Sequence, residues 1–195
     1  MSITKLTTNG IAGAKYDSVS ADNYYMEPIA TTLVGAGGTA TITFSNIPNT
    51  YKHLQLRILS RSARTDAADG IALRFNSDSG SNYSWHYLRG DGTSPGAGGS
   101  ATQTEILLSY DFAANTAGSN IFGIGIVDIL DYANVYKYKT VRILAGNDRN
   151  GSGAVGLCSG LWMNTAATTT LTLTSYWGAN NFLQNSRFSL YGIRG

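Results

Sequence analysis

The chain has 195 residues, of which 43% are hydrophobic and 13% are charged, and its formal net charge is +2 at pH 7. This length fits one domain and this apolar content can bury a sizeable core, whereas the low charge argues against a nucleic-acid channel. No apolar run approaches the roughly 18–20 residues that span a bilayer, and the single cysteine, Cys158, excludes an intrachain disulfide and a cysteine-cluster metal site. We therefore expect no nucleic-acid partner, no membrane partner and no cofactor.

The first predicted element is an N-terminal arm, residues 1–38, because hydrophobic alternation is not sustained there before a glycine-rich break. Its start, MSITKLTTNG, lacks the apolar core of a signal peptide, so we expect synthesis in a reducing cytoplasm. The arm is too aromatic for a solvated linker, and we predict that it packs on its own domain or on a neighbouring subunit. The side chains on which this prediction rests are Tyr16, Tyr24, Tyr25 and Met26.

From residue 39 onward the hydrophobic pattern has a period of two, which is typical of half-buried antiparallel strands. The segments TATITFS, YKHLQLRIL and TTTLTLT alternate in this way. Further strands are predicted at about 71–76, 83–88, 105–110, 121–131, 137–146, 154–163 and 182–193, and long loops at 60–70 and 89–104. The pattern predicts an all-β domain over 39–195, a two-sheet β-sandwich of jelly-roll type with the arm extended from it.

One predicted strand, IFGIGIVDIL at 121–130, is apolar on both faces until Asp128. Such a strand is expected to be buried on both sides, either by a subunit contact or beneath a long loop. Phe122, Ile124 and Ile126 share one face, which we predict to be an interface. An aspartate at position 124 or 126 is then expected to abolish folding or assembly, because an unpaired charge would be buried.

No catalytic motif is found, and the chain is predicted not to be an enzyme. The sequence contains no nucleophile elbow, no HExxH and no phosphate-binding loop. Its two histidines, His53 and His86, lie in predicted strands. Asp128 and Asp131 are three residues apart at a strand and its end, which places them on opposite faces and suits acid–base work poorly.

A calcium loop is considered at FNSDSGSNY, where Asn76, Asp78 and Asn82 supply short oxygen ligands around a glycine. The distal bidentate glutamate is missing, because the twelfth position from Asn76 is Tyr87. The same residues are ordinary tight-turn chemistry between two strands, and we expect the turn and no bound metal.

Glycan contact is considered at Trp85 and Tyr87, which share one face of a predicted strand, and at Trp177 in the loop SYWGANN. Some of these aromatics are expected to be core, and Trp177 is the better exposed candidate. Cys158, between Gly156 and Gly160, is predicted to be a small buried hydrophobe.

Several longer segments resemble a recurrent family of virion structural proteins of tailed phages, especially phages of cyanobacteria and other aquatic bacteria. The segments are YKHLQLRILSRS, LRFNSDSGSNYSWHYLRGDG, DILDYANVYKYKTVRILAGND, GLWMNTAATTTLTLT and FSLYGIRG, together with LTTNGIAGAKYDSVSADNYYMEPIA at the start. The resemblance covers nearly the whole chain. It implies a location in the virion and contacts with other capsid or tail proteins, and it carries over no catalytic residue.

Within that class we expect a head decoration (cement) protein that docks through protein–protein contacts, because the chain lacks the long repetitive shaft of a tail fibre. A homotrimer is expected by analogy with cement proteins at threefold positions. The alternatives are a tail fibre, tail adaptor or receptor-binding module that recognises host surface glycan, and a depolymerase, for which the sequence offers no pair of catalytic carboxylates.

Overall fold

The computed structural model describes residues 25–195, which form two antiparallel sheets packed as a sandwich. Twelve strands are present: β1 Met26–Leu33, β2 Thr41–Phe44, β3 His53–Ser60, β4 Ala68–Phe75, β5 Tyr83–Gly90, β6 Pro95–Gln103, β7 Ile106–Ala113, β8 Gly123–Leu130, β9 Lys139–Asp148, β10 Gly153–Trp162, β11 Leu171–Ser175 and β12 Arg187–Ile193. The large sheet has the order β1-β12-β3-β8-β9-β10-β5-β6 and the small sheet β2-β11-β4-β7. This confirms the predicted all-β, two-sheet sandwich of jelly-roll type.

The core lies between the two sheets and follows from the period-two pattern. Leu54, Leu56 and Ile58 of β3 face inward and are buried, as do Leu171 and Leu173 of β11. Burial of such side chains is worth about 1.5–3 kcal/mol each and drives the two sheets together. Across the sandwich, a stack of large rings closes one end of the core.

That stack consists of Phe75, Trp162 and Tyr83, with ring centroids 5.1 Å apart for Phe75 and Trp162 and 6.3 Å apart for Tyr83 and Trp162. Offset stacks of this kind add roughly 0.5–1.5 kcal/mol per pair beyond area burial. The stack therefore fixes how β4, β5 and β10 meet. No helix that could cross a membrane occurs within residues 25–195.

The predicted boundary between an arm and the sandwich at residue 38 is wrong for residues 26–33. These residues form β1, which pairs antiparallel with β12, so they belong to the large sheet. The strand escaped prediction because its burial pattern is irregular and because a bulge interrupts it between Pro28 and Ala30. Tyr25 is exposed and Met26 is half-buried, whereas Tyr16 and Tyr24 lie outside the described residues.

The predicted loop at 89–104 is also wrong in part, because residues 95–103 form the edge strand β6. β6 has the sequence PGAGGSATQ, which has no large side chain to reveal a period of two. Its partner β5 supplies the packing instead. The side chain of Tyr87 covers Gly98 and that of His86 covers Gly99, where any Cβ would collide with the rings.

Candidate functional site

The first candidate site is the outer face of the large sheet, which points away from the small sheet. Expected burial of β8 on both sides is wrong for the described chain: its odd residues are buried, but Ile124 is 61% exposed and Ile126 is 43% exposed. Phe122 precedes β8 and is half-buried. Because an aspartate at position 124 or 126 would meet solvent, it is now expected to leave the monomer folded.

Exposed aliphatic side chains continue from β8 across three further strands. The register aligns Ile126 with Leu144, Leu144 with Leu157, and Leu157 with Leu88. We call the exposed set the apolar face, and it comprises Leu59, Leu88, Ile124, Ile126, Leu130, Leu144, Val155 and Leu157. Contiguous exposed apolar area of this kind on a packed domain is typical of a contact surface.

A polar pair borders the apolar face one row further along β8 and β9. The carboxylate of Asp128 accepts hydrogen bonds from Gln55 Nε2 at 2.9 Å and from Arg142 at 2.7 Å. Burial opposes ionisation of Asp128, but these two hydrogen bonds outweigh it and lower the pKa of the carboxyl group. The charged pair therefore persists at neutral pH and can fix the orientation of a docked partner.

A pocket of about 730 Å³ opens within the apolar face, above β8, β9 and β10. Ile124, Ile126, Leu144 and Val155 form its apolar floor. Its walls are the turn after β5 and the β9–β10 hairpin, with lining residues that include Gly90, Asp91, Gly92, Asp148, Gly151 and Ser152. Glycine therefore lines much of the wall, which leaves backbone groups accessible.

The second candidate site is an aromatic cluster that joins the inner face of β5 to β7 and to the segment after β11. The three glycan candidates of the sequence come together here: Trp85 and Tyr87 lie 6.2 Å apart, and both reach Trp177 through Tyr110 and Tyr176. Tyr110 and Tyr176 were not anticipated, because neither sits in a motif and only the pairing of distant strands brings them to this place.

The faces of these rings are largely occupied. Trp85 is only 6% exposed, and its Nε1 is buried without a hydrogen-bond partner. Trp177 is 39% exposed, but Tyr110 stacks on its ring at 5.0 Å and the Arg64 guanidinium lies 4.3 Å from its centroid. The cluster is thus first a packing element, with the Trp177 edge as its accessible part.

The residues of the considered calcium loop direct their oxygens to protein donors and not to a common centre. Asn76 Oδ1 accepts from the amides of Thr169 and Thr170. Asp78 accepts from the Trp162 indole at 2.8 Å and from the amide nitrogen of Asn82 at 2.9 Å. The turn interpretation therefore accounts for all three residues.

Asp78→Asn is expected to lower the free energy of unfolding by about 1–2 kcal/mol, because a charge-assisted bond to Trp162 becomes a neutral one. The Trp162 hydrogen bond is the main cause that lowers the pKa of Asp78 below its usual value. A lowered pKa stabilises the fold above the unfolded-state pKa, so this stabilisation is expected to vanish as the pH falls through the folded-state pKa. Urea unfolding from pH 7 down to acid would measure both; equal pH slopes for the two proteins would contradict the prediction.

Cys158 is buried on β10, and burial raises the pKa of its thiol to about 12. The thiolate is the reactive form, so the native protein is expected to resist maleimide at pH 8 and to react within minutes once unfolded in urea. Mass spectrometry of the two samples would check this. Labelling at equal rates would mean that the thiol is accessible.

The acidic residues considered for catalysis are engaged in ion pairs. Asp131 pairs with Lys137 at 2.7 Å and with Lys52 at 3.4 Å, and its backbone amide donates to His53 Nδ1. Within residues 25–195, no three side chains of His, Cys, Asp or Glu come together as metal ligands would. His86 is exposed on the outer face, one row from the apolar face.

Comparison with protein-family models gives no match, and comparison with curated proteins gives none either. Among solved structures the chain is similar to the crystal structure of the Caenorhabditis elegans galectin LEC-6, at 10% sequence identity and a TM-score of 0.36. The similarity covers 82% of this chain and 94% of the galectin chain. At this identity and TM-score it bears on no ligand and no function.

Proposed function

We propose that this chain is a non-enzymatic structural protein of a phage particle, a head decoration protein that docks through the apolar face of its large sheet. The observation on which the proposal depends is the run of exposed side chains Ile126, Leu144, Leu157 and Leu88 across four adjacent strands. The sandwich already has a complete core of its own, so these side chains are not needed for folding. Their exposure is accounted for by a partner.

The apolar face has the size and the border that a stable contact needs. A standard interface buries roughly 800 Å² per partner, and eight aliphatic side chains that are each about half exposed supply area of that order. The adjoining Asp128–Arg142 pair provides a polar rim. Apolar centre and polar rim together favour protein–protein docking over catalysis.

The direct test is the protein's abundance in purified virions, measured by quantitative mass spectrometry against the major shell protein. A copy number comparable to that of the shell protein is expected for a head decoration protein. A small multiple of the tail symmetry would replace head decoration with a tail adaptor or fibre. Absence from the particles would contradict the proposal.

A receptor-binding role is the second candidate, because the structure brings Trp85, Tyr87 and Trp177 into one cluster. The accessible Trp177 edge, with Arg64 beside it, is the part that a host surface glycan could contact. Binding to host lipopolysaccharide that is lost in Trp177→Ala, but kept in Leu157→Asp, would support this role. Binding that is unchanged in Trp177→Ala would exclude the cluster.

A further inference from the structure

The pocket in the apolar face is open to solvent and unfilled by the described chain. A Cβ built on Gly90, Gly92 or Gly151 meets no atom within 4 Å, so the walls stand clear of one another. Aliphatic side chains form the floor, and backbone groups of the two turns line the sides. An extended peptide with a few apolar side chains fits such a site better than a flat protein surface does.

Two carboxylates, Asp91 and Asp148, belong to the walls of this pocket. Backbone amides cap both: Ser94 and Thr93 donate to Asp91, which lowers its pKa, and Asn150 donates to Asp148. Arg149 is turned toward Asn147 and Ser152, at 2.9 Å and 3.3 Å. The wall thus favours an occupant with positive charge and no acid.

Residues 1–15 of the chain have this composition. They contain Lys5 and Lys15 and no acidic residue, and their apolar side chains are Met1, Ile3, Leu6 and Ile11. The following stretch, 16–24, has the opposite charge, with Asp17 and Asp22 and no basic residue. The two stretches therefore suit different parts of the large sheet.

The strip of sheet between the start of β1 and the pocket is basic. Register places Met26 in one row with Leu130, and the pocket floor begins four residues further along β8, at Ile126. Arg57 and Arg187 lie exposed on the outer face of the strands between them, β3 and β12. Asp17 and Asp22 are the acids that would cross this strip.

The distances agree with this path. Strand and residue spacings put the pocket roughly 30 Å from the start of β1, and nine extended residues span about the same length. Residues 16–24 number nine, which leaves residues 1–15 for the pocket itself. We propose that residues 1–15 fill the pocket of their own chain, with Lys5 and Lys15 toward Asp91 and Asp148, and that 16–24 cross the basic strip.

This proposal concerns the isolated chain and deepens the proposed function, on which it rests only for its biological meaning. A filled pocket turns a concave docking face into a flatter one, to which the segment and the neighbouring leucines both contribute. Leu88 and Leu157 do not line the pocket, so variants there test docking separately.

Hydrogen exchange on the full-length protein tests the proposal. Amides in 1–15 are expected to exchange at least tenfold more slowly than in a synthetic peptide of the same sequence. Gly90→Trp plugs the pocket and is expected to raise their exchange to the peptide rate. Gly35→Trp is the matched control, since a Cβ there also meets no atom within 4 Å and Gly35 does not line the pocket.

Exchange of 1–15 at the peptide rate in the unsubstituted protein would overturn the proposal, as would protection that survives in Gly90→Trp. Protection of the core strands β3 and β11 in every variant shows that the fold is intact. A loss of protection in Gly35→Trp equal to that in Gly90→Trp would also count against the pocket as the binding site.

Crosslinking gives a second readout on the full chain. Leu6→Cys combined with Gly90→Cys, treated with a short bismaleimide, is expected to give a within-chain crosslink at least tenfold above Leu6→Cys with Gly35→Cys. The native thiol of Cys158 is buried and does not compete. Equal yields in the two pairs, or crosslinks only between two chains, would overturn the assignment to the same chain.

Discussion

Leu157→Asp is expected to leave the sandwich folded and to reduce incorporation into virions at least tenfold. Leu157 lies near the centre of the apolar face and is 49% exposed, so in the monomer the new carboxylate stays in water. A surface substitution of this kind changes the free energy of unfolding by roughly 0.5 kcal/mol or less. In a docked complex the same carboxylate would be buried without a partner, which costs several kcal/mol.

Leu33→Asp is the matched control for this variant. Leu33 is exposed to a similar extent but lies on the edge strand β1, away from the apolar face. Complementation of a deletion phage with each variant, followed by quantitation of particle-bound protein, gives the comparison. Normal incorporation of Leu157→Asp would show that docking uses another surface.

Lys139→Met is expected to lower the free energy of unfolding by about 3–5 kcal/mol, the largest effect predicted for this chain. Lys139 is fully buried at the start of β9, and its Nζ donates to the carbonyls of Asn134, Lys137 and Thr165, at 2.7, 2.9 and 3.1 Å. Methionine matches the length of the stem but leaves three buried carbonyl oxygens without a donor.

The same substitution at Lys137 provides the comparison, because its ammonium is 63% exposed and pairs with Asp131. An exposed ion pair is worth about 1 kcal/mol or less, so Lys137→Met is expected to have little effect. Urea unfolding at pH 7 measures both variants. Equal losses of stability would mean that the Lys139 bonds do not hold the 131–138 and 163–168 segments to the sheet.

Strands with one large apolar side chain at every second residue could be predicted from the sequence. In β3 and β11 the buried and exposed positions alternate without exception in residue type, so the face that meets the core is unambiguous. β6 and β1 lacked this signal. Glycine and serine in β6 give no phase, and β1 has its bulge at Pro28–Ala30.

The candidate sites depended on contacts that the local pattern does not contain. The apolar face was foreshadowed only by β8, although Leu144 beside Ile143 and Leu157 beside Cys158 also place an apolar residue in the polar phase of a strand. That phase conflict was available as a signal. The alignment of Leu144 with Ile126 and Leu157 required the sheet order, which no single strand encodes.

The large sheet is open, and both of its outer strands are interrupted. β1 contains Pro28, which has no amide hydrogen, and a bulge beside it; β6 consists mainly of small residues, and its pairing with β5 shifts register between Tyr83 and Trp85. Such borders make poor templates for continued strand addition, and so disfavour fibrous aggregation when many copies are crowded together. Self-limiting contacts through side chains then become the easier route of assembly, with a stoichiometry fixed by the surface that receives each copy.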